Sequence, residues 1–241
     1  MCYYPGEVMV ITVSLGGSVI VGSGKPDVEF IKGFVSAVKD VVKKERIIII
    51  TGGGQPARDY AEAIRQFSKN EMLAHEMGTL ITRVNAELLL RILQASKIDV
   101  YPKVLCDDRF TEEVRSALSK YKVVIGAGVV PGVTSDTDAV LLARASESRR
   151  LINISNVDGI YDKDPRRYSN AKKISRMTYD QFLKIILPQT HGRSGEHIIF
   201  DPYAAIMMKE DNIELHFVGP EIKEIKRAML GKRHNGTVIR S

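Results

Sequence analysis

The sequence predicts an α/β fold built on a parallel sheet covered by helices on both faces. Two observations carry this. Strand-length apolar runs alternate with amphipathic segments along the whole chain, and the runs are apolar at consecutive positions, as strands buried on both faces must be. With 241 residues, 44% of them hydrophobic, the chain can bury one large core.

Residues 8–15 read as the first buried strand, which leads through Gly16-Gly17-Ser18 to a helix over 27–44. Ile47-Ile48-Ile49-Ile50 is the second strand, followed by Gly52-Gly53-Gly54 and a helix from about Gln55. A long helix is expected over 71–94, with Leu80, Val84, Leu88 and Ile92 on one face. Further strands are expected at 98–104, 123–125 and 151–154. The chain then closes with a helix at 200–209, a strand at 214–218, a helix at 220–230 and a strand at 237–239. There is no low-complexity linker and no internal repeat. The expectation is one domain over 9–241, with an amino lobe ending near 145–149 and residues 1–8 as a short extension.

Bulk chemistry narrows the function. Lys and Arg number 35 against 29 Asp and Glu, a net charge of +6, which favours anionic ligands. The densest basic run, 223–233, also contains Glu224 and has no aromatic platform, so no nucleic-acid partner is expected. Cys2 and Cys106 stand far apart, and the five histidines show no metal spacing; a reducing, cytoplasmic setting follows as the expectation. No apolar run approaches the roughly 20 residues of a membrane helix.

Phosphate is the simplest use for the excess charge. Two neighbouring strands end in glycine clusters, where backbone N–H groups can approach a phosphate at the start of a helix. Arg58 lies four residues after Gly54, within the first turn of the second helix, where its guanidinium could clamp that phosphate. Two familiar fingerprints fail. Gly22-Ser23-Gly24-Lys25 resembles the end of a P-loop, but Val19 replaces its first glycine and Pro26 its Ser or Thr; no Gly-x-Gly-x-x-Gly follows the first strand.

A third polar loop, 126–138, follows the 123–125 strand. Asp136 reads as the cap and Asp138 as a first-turn acid of the next helix, rather than as a metal pair. A fourth, 155–165, joins Ser155, Asn156, a Gly159 turn, the ring of Tyr161 and Asp164-Pro165, and suits a nucleoside lying over strand ends.

Taken in order, Gly16-Gly17-Ser18, Gly52-Gly53-Gly54 with Arg58, Thr82-Arg83, Asn85-Ala86, Pro131-Gly132, Ser135-Asp136, the 156–165 loop and Asn235-Gly236-Thr237 resemble the amino acid kinase superfamily, and within it the uridylate (UMP) kinases of archaeal type. The resemblance covers nearly the whole chain. It implies a three-layer αβα sandwich with a mostly parallel central sheet, and a homohexamer assembled through the long amino-lobe helix.

The same resemblance implies roles. Gly17, Ser18, Gly54 and Arg58 hold ATP phosphates, with Arg58, Gly17 and Ser18 at the point of transfer. Ser155, Asn156, Tyr161 and Asp164 surround the adenosine. Gly53 and the loop of Val129, Val130, Pro131, Gly132, Val133, Thr134 and Ser135 hold UMP. Magnesium is carried on ATP phosphates, with no protein ligand. Many superfamily members have a Lys where Ser14 stands. Isopentenyl phosphate kinases keep that Lys and add a His after the second glycine cluster, where this chain has Gln55-Pro56.

Three departures touch the acceptor. His75 stands where an acidic residue holds the ribose, Ile206 where a Lys is common, and Ser194-Gly195-Glu196-His197 replaces a Ser-rich approach. Transfer of the ATP γ-phosphate to UMP is the first reading. Another phosphate or carboxylate acceptor, such as isopentenyl phosphate, and a non-catalytic nucleotide or oxyanion binder of molybdenum-storage type stand beside it.

Overall fold

A computed structural model describes residues 9–22, 24–107, 109–129, 132–165, 167–189 and 199–241. Residues 1–8, Val130, Pro131 and the 194–197 stretch lie outside them.

The sheet order is β3-β2-β1-β4-β8-β9-β7. The central strands β1 (Val10–Leu15), β2 (Arg46–Thr51), β3 (Val123–Gly126), β4 (Arg150–Ile154) and β8 (Glu214–Val218) are parallel neighbours. β9 (Thr237–Arg240) returns antiparallel to β8 and pairs in parallel with β7 (Arg176–Thr178). The four isoleucines of β2 show why the runs are apolar throughout. Ile47 and Ile49 enter one core and Ile48 and Ile50 the other, since side chains alternate across a strand.

On the first face lie α2 (Val28–Val41), α4 (Glu71–Ala95) and α9 (Ile222–Met229), packed through Phe34, Leu90 and Ile225. On the second lie α5 (Phe110–Lys120), α6 (Ser135–Ala145), α7 (Tyr179–Ile186) and α8 (Pro202–Glu210), packed through Leu118, Leu142, Phe182 and Met208. Between them run the turn-long α1 (Gly17–Ile20), α3 (Gly54–Arg65) and a small antiparallel pair, β5 (Ile160–Tyr161) with β6 (Lys173–Ile174). The expected three-layer sandwich is present. Among the described residues, no helix is long and apolar enough to cross a membrane.

Several expectations change. The 98–104 run is not a strand. It touches β3 through a single bridge at Val100, with another at Leu105 just beyond it; Tyr101 N donates to Val123 O and Leu105 N to Ile125 O, and the chain bends away between them at Pro102 and Lys103. The helices α5 and α7 and the strands β5, β6 and β7 were not anticipated. Along α4 the apolar stripe divides: Leu88 and Ile92 pack on the core, while Leu80 (50% exposed) and Val84 (62%) face outward. The buried face of that helix is Ala86, Leu89, Leu90 and Leu93. Finally, Asp136 is not the cap of α6. Thr134 is, its Oγ1 accepting from Thr137 N at 3.2 Å.

Candidate active site

The carboxyl ends of the parallel strands converge on one edge. Gly16 N donates to Ile154 O and Gly52 N to Leu15 O, both at 2.9 Å, so the turns after β1, β2 and β4 are laced together. Gly17 and Gly54 touch backbone to backbone: a Cβ added at Gly17 would stand 2.1 Å from Gly54 N and 2.5 Å from Gly52 O. Gly54 itself has φ +67°, which favours glycine. The starts of α1 and α3 thereby face one point, and the first N–H groups of a helix have no carbonyl partner within it.

Residues of α4 hold the second glycine turn. Asn85 Nδ2 donates to Gly52 O at 2.8 Å, and Thr51 Oγ1 to Thr82 O at 3.0 Å. Arg83 fixes the loop after β3, its guanidinium donating to Gly128 O at 2.7 and 3.0 Å and to Cys106 O at 2.9 Å. These side-chain contacts explain why Arg83 and Asn85 stand in the sequence.

Beside the glycine turns opens a cleft of about 220 Å³ between α3, α4, the loop after β3 and the start of α6. Of the residues expected to hold an acceptor, Gly53, His75, Gly132, Val133 and Ser135 line it. Val129 is buried behind the wall and Thr134 is exposed at the head of α6; Val130 and Pro131 lie outside the described residues. Arg58, expected on the ATP phosphates, also lines this cleft, its Nε and Nη2 donating to Gln55 Oε1 at 3.2 and 2.9 Å. Arg65, Thr79, Thr82, Gly128 and Asp138 complete much of the wall and were not anticipated.

The 155–164 loop leaves β4 next to the first glycine turn, with Ser155 N donating to Val218 O at 3.0 Å. Asp158 stiffens it, accepting from Tyr161 Oη and from Lys173 Nζ, each at 2.7 Å. The lysine bond and the tyrosine bond hold the Asp158 carboxyl below its usual range against the opposing effect of burial. Thr237 Oγ1 accepts from Ile160 N at 2.8 Å and donates to Ile174 O at 2.6 Å, which ties the closing Asn-Gly-Thr segment to the β5–β6 pair. Asp164 opens a turn through bonds from Arg167 N and Tyr168 N to its carbonyl. Asn156 is exposed on the same loop.

Two carboxyls sit under these turns. Asp136 accepts from Ser14 Oγ at 3.2 Å, Asn153 Nδ2 at 3.1 Å and Asp201 N at 3.3 Å, joining β1, β4 and the head of α8. The residue is only half-buried, but these donors enclose its carboxyl, and burial, helped by the nearby Asp201, pushes it up to about 6. Asp138 is pushed up to about 6 by burial as well, against its bond from Val129 N and the charge of Arg83.

The family model of the amino acid kinase family matches residues 9–219. The chain belongs to the amino acid kinase family. Among its relatives in the family, the uridylate kinase of Thermococcus kodakarensis is 34% identical over 231 residues, covering 96% of this chain and 99% of that protein. The crystal structure of uridylate kinase from Archaeoglobus fulgidus, 31% identical, superposes with a TM-score of 0.80 over 96% of this chain and 100% of that one. The UMP kinase structure from Ureaplasma parvum shares the amino acid kinase fold at 22% identity, with a TM-score of 0.79, 98% of this chain and 100% of that one being covered.

Proposed function

We propose that this amino acid kinase family member transfers the γ-phosphate of ATP to UMP, giving UDP and ADP. The observation that carries the reading is the cleft lined by Gly53, Arg58 and His75, opening directly beside the contact of Gly17 with Gly54. Gly17, Ser18 and Gly54 offer backbone N–H groups to the ATP phosphates, and the 155–164 loop, with Ser155, Asn156, Tyr161 and Asp164, offers the adenosine its site. The lobe before about 147 then forms the acceptor side and lends its glycine turns to the ATP phosphates, while the lobe after about 148 forms the adenosine side.

An oxygen of the UMP phosphate attacks the γ-phosphorus as the bond to the β,γ-bridging oxygen breaks, and ADP leaves with that electron pair. The acceptor phosphate has its second pKa near 6, so most of it is already doubly ionised at neutral pH and no general base is needed. Arg58 and the glycine-turn N–H groups hold the reactants in line and neutralise charge as it develops. Magnesium would be carried on the ATP phosphates. That ion supplies charge neutralisation on the phosphates.

The outward face of α4 supports self-association. Leu80 and Val84 are exposed there, and Phe67, Met72 and Leu73 lie exposed nearby. We propose that copies of the chain pack through this face in a homohexamer.

ADP release with ATP and a panel of acceptors, UMP first, tests the reaction. UMP-dependent release bears it out. Release only with isopentenyl phosphate or a carboxylate would move the acceptor assignment, which His75 in the cleft makes worth testing. No acceptor-dependent release would leave a nucleotide-binding protein.

A further inference from the structure

The acceptor cleft contains an acid that phosphate binding does not explain. Asp138 is 1% exposed and forms part of the wall. Its Oδ2 accepts from Val129 N at 3.2 Å, while its Oδ1 is buried with no hydrogen-bond partner among the described residues. A buried carboxylate oxygen without a donor is costly, and a bound ligand with an N–H would relieve it.

The charges around it set the orientation of that ligand. Arg83 reaches over from α4, but its guanidinium donates to Gly128 O and Cys106 O. Asp136, on the same helix, turns toward Ser14 and Asn153. Arg58, Arg65 and His75 stand on the α3 and α4 side of the cleft, and Asp138 on the side of α6 and the loop after β3. Like charge keeps a phosphate away from Asp138 and Arg58 attracts it. A nucleoside monophosphate therefore lies with its phosphate toward Arg58 and Gly53 and its base toward Asp138.

We infer that Asp138 is a specificity-determining residue of the acceptor cleft, its Oδ1 accepting the N3–H of a uracil base. The inference rests on the reading of this cleft as the UMP site. Uracil carries a donor at N3, whereas cytosine carries a lone pair there. A carboxylate pairs with the first and repels the second, so Asp138 selects uracil over cytosine; a protonated carboxyl would donate to cytosine N3 and reverse the choice. Burial pushes Asp138 up to about 6, which puts the change of preference just below neutral pH.

Asparagine at this position has a determined sense. Val129 N needs an acceptor, so the amide oxygen takes the place of Oδ2 and the NH₂ group faces the base as a donor. kcat/KM is measured for UMP, CMP and N3-methyl-UMP with the wild type and Asp138→Asn. The wild type at about pH 8 should prefer UMP to CMP by about 10²-fold, lose a similar factor on N3-methylation, and lose much of its preference at about pH 5.5. Asp138→Asn should move the preference toward CMP by about 10-fold or more, independently of pH, with KM for ATP unchanged.

An unchanged UMP-to-CMP ratio in Asp138→Asn would overturn the inference alone. So would N3-methyl-UMP turning over as well as UMP on the wild type, a test that needs no variant. A wild type that phosphorylates neither nucleotide would overturn the UMP reading itself, and this inference with it.

Discussion

Gly17 and Gly54 meet so closely that a single methyl group on Gly17 would stand 2.1 Å from Gly54 N. The atoms around that point are backbone atoms of Gly52, Gly53 and Gly54, which have no rotamer by which to give way. Gly17→Ala should therefore force the two turns apart, destabilise the fold by about 2–4 kcal/mol and abolish ATP turnover. Gly22→Ala is the matched control, since nothing lies within 4 Å of its added Cβ; it should change stability by less than about 0.5 kcal/mol. Thermal melts and ADP release on the pair check both.

Arg58 occupies the first turn and a half of α3, half-exposed, with its guanidinium on Gln55. Removing it takes away a cation at the cleft but little packing. Arg58→Ala should fold with a Tm within about 2 °C of wild type and lower kcat/KM for UMP by about 10²- to 10³-fold. A fully active Arg58→Ala enzyme would contradict its proposed role.

A histidine pair gives the stability a pH signature. His216 Nε2 lies 2.6 Å from Glu214 Oε1, His216 Nδ1 lies 2.8 Å from His234 Nε2, and Gly236 N donates to His234 Nδ1 at 3.1 Å. With both rings neutral every bond has one proton: His234 donates to His216, which donates to Glu214. Burial, and then the neighbouring His216, lower His234 from 6.5 to about 4. The folded state thus binds its proton later than the unfolded chain, so this stabilisation is complete above about pH 6.5 and is lost as pH falls toward 4. Asp136 and Asp138, both pushed up to about 6 from 3.8, act in the opposite sense over an overlapping range and favour the fold as pH falls. His234→Gln should isolate the first contribution. Denaturant melts should show the wild type losing up to about 2–3 kcal/mol relative to the variant between about pH 7.5 and pH 4.5.

The exposed face of α4 predicts assembly. Leu80→Glu with Val84→Glu would set charges into the surface proposed to be covered by a second copy, while leaving the buried face of Leu89, Leu90 and Leu93 intact. Sedimentation velocity should show the wild type as an oligomer and the double variant as a smaller species with an unchanged circular dichroism spectrum.

Much of this architecture was legible in the residues. The Ile47–Ile50 run can serve only a strand buried on both faces, and the glycine clusters after two such runs mark the strand ends where ligands bind. Helix α5 is legible too, since Phe110, Val114, Ala117 and Leu118 recur at helical spacing. The face of α4 was not. That helix is apolar on two sides, and periodicity reports a stripe without saying whether sheet or another molecule covers it. The head of α6 is ambiguous in the sequence for a related reason: Thr134, Ser135 and Asp136 are all competent caps, and which one bends into that role depends on what the others find. Asp136 finds Ser14, Asn153 and Asp201 N.

The layered α/β fold, the family resemblance and the candidate ATP side can be read along the chain, because they reside in periodicity and in short runs whose residues act on their own neighbours. What depends on residues far apart in the chain waits for packing. Only folding brings Arg58 into one cleft with His75, Gly132 and Asp138, encloses Asp136 between β1 and β4, and leaves Asp138 Oδ1 buried without a donor. Burial and the orientation of hydrogen-bond partners are properties of packing, and no spacing along the chain encodes them.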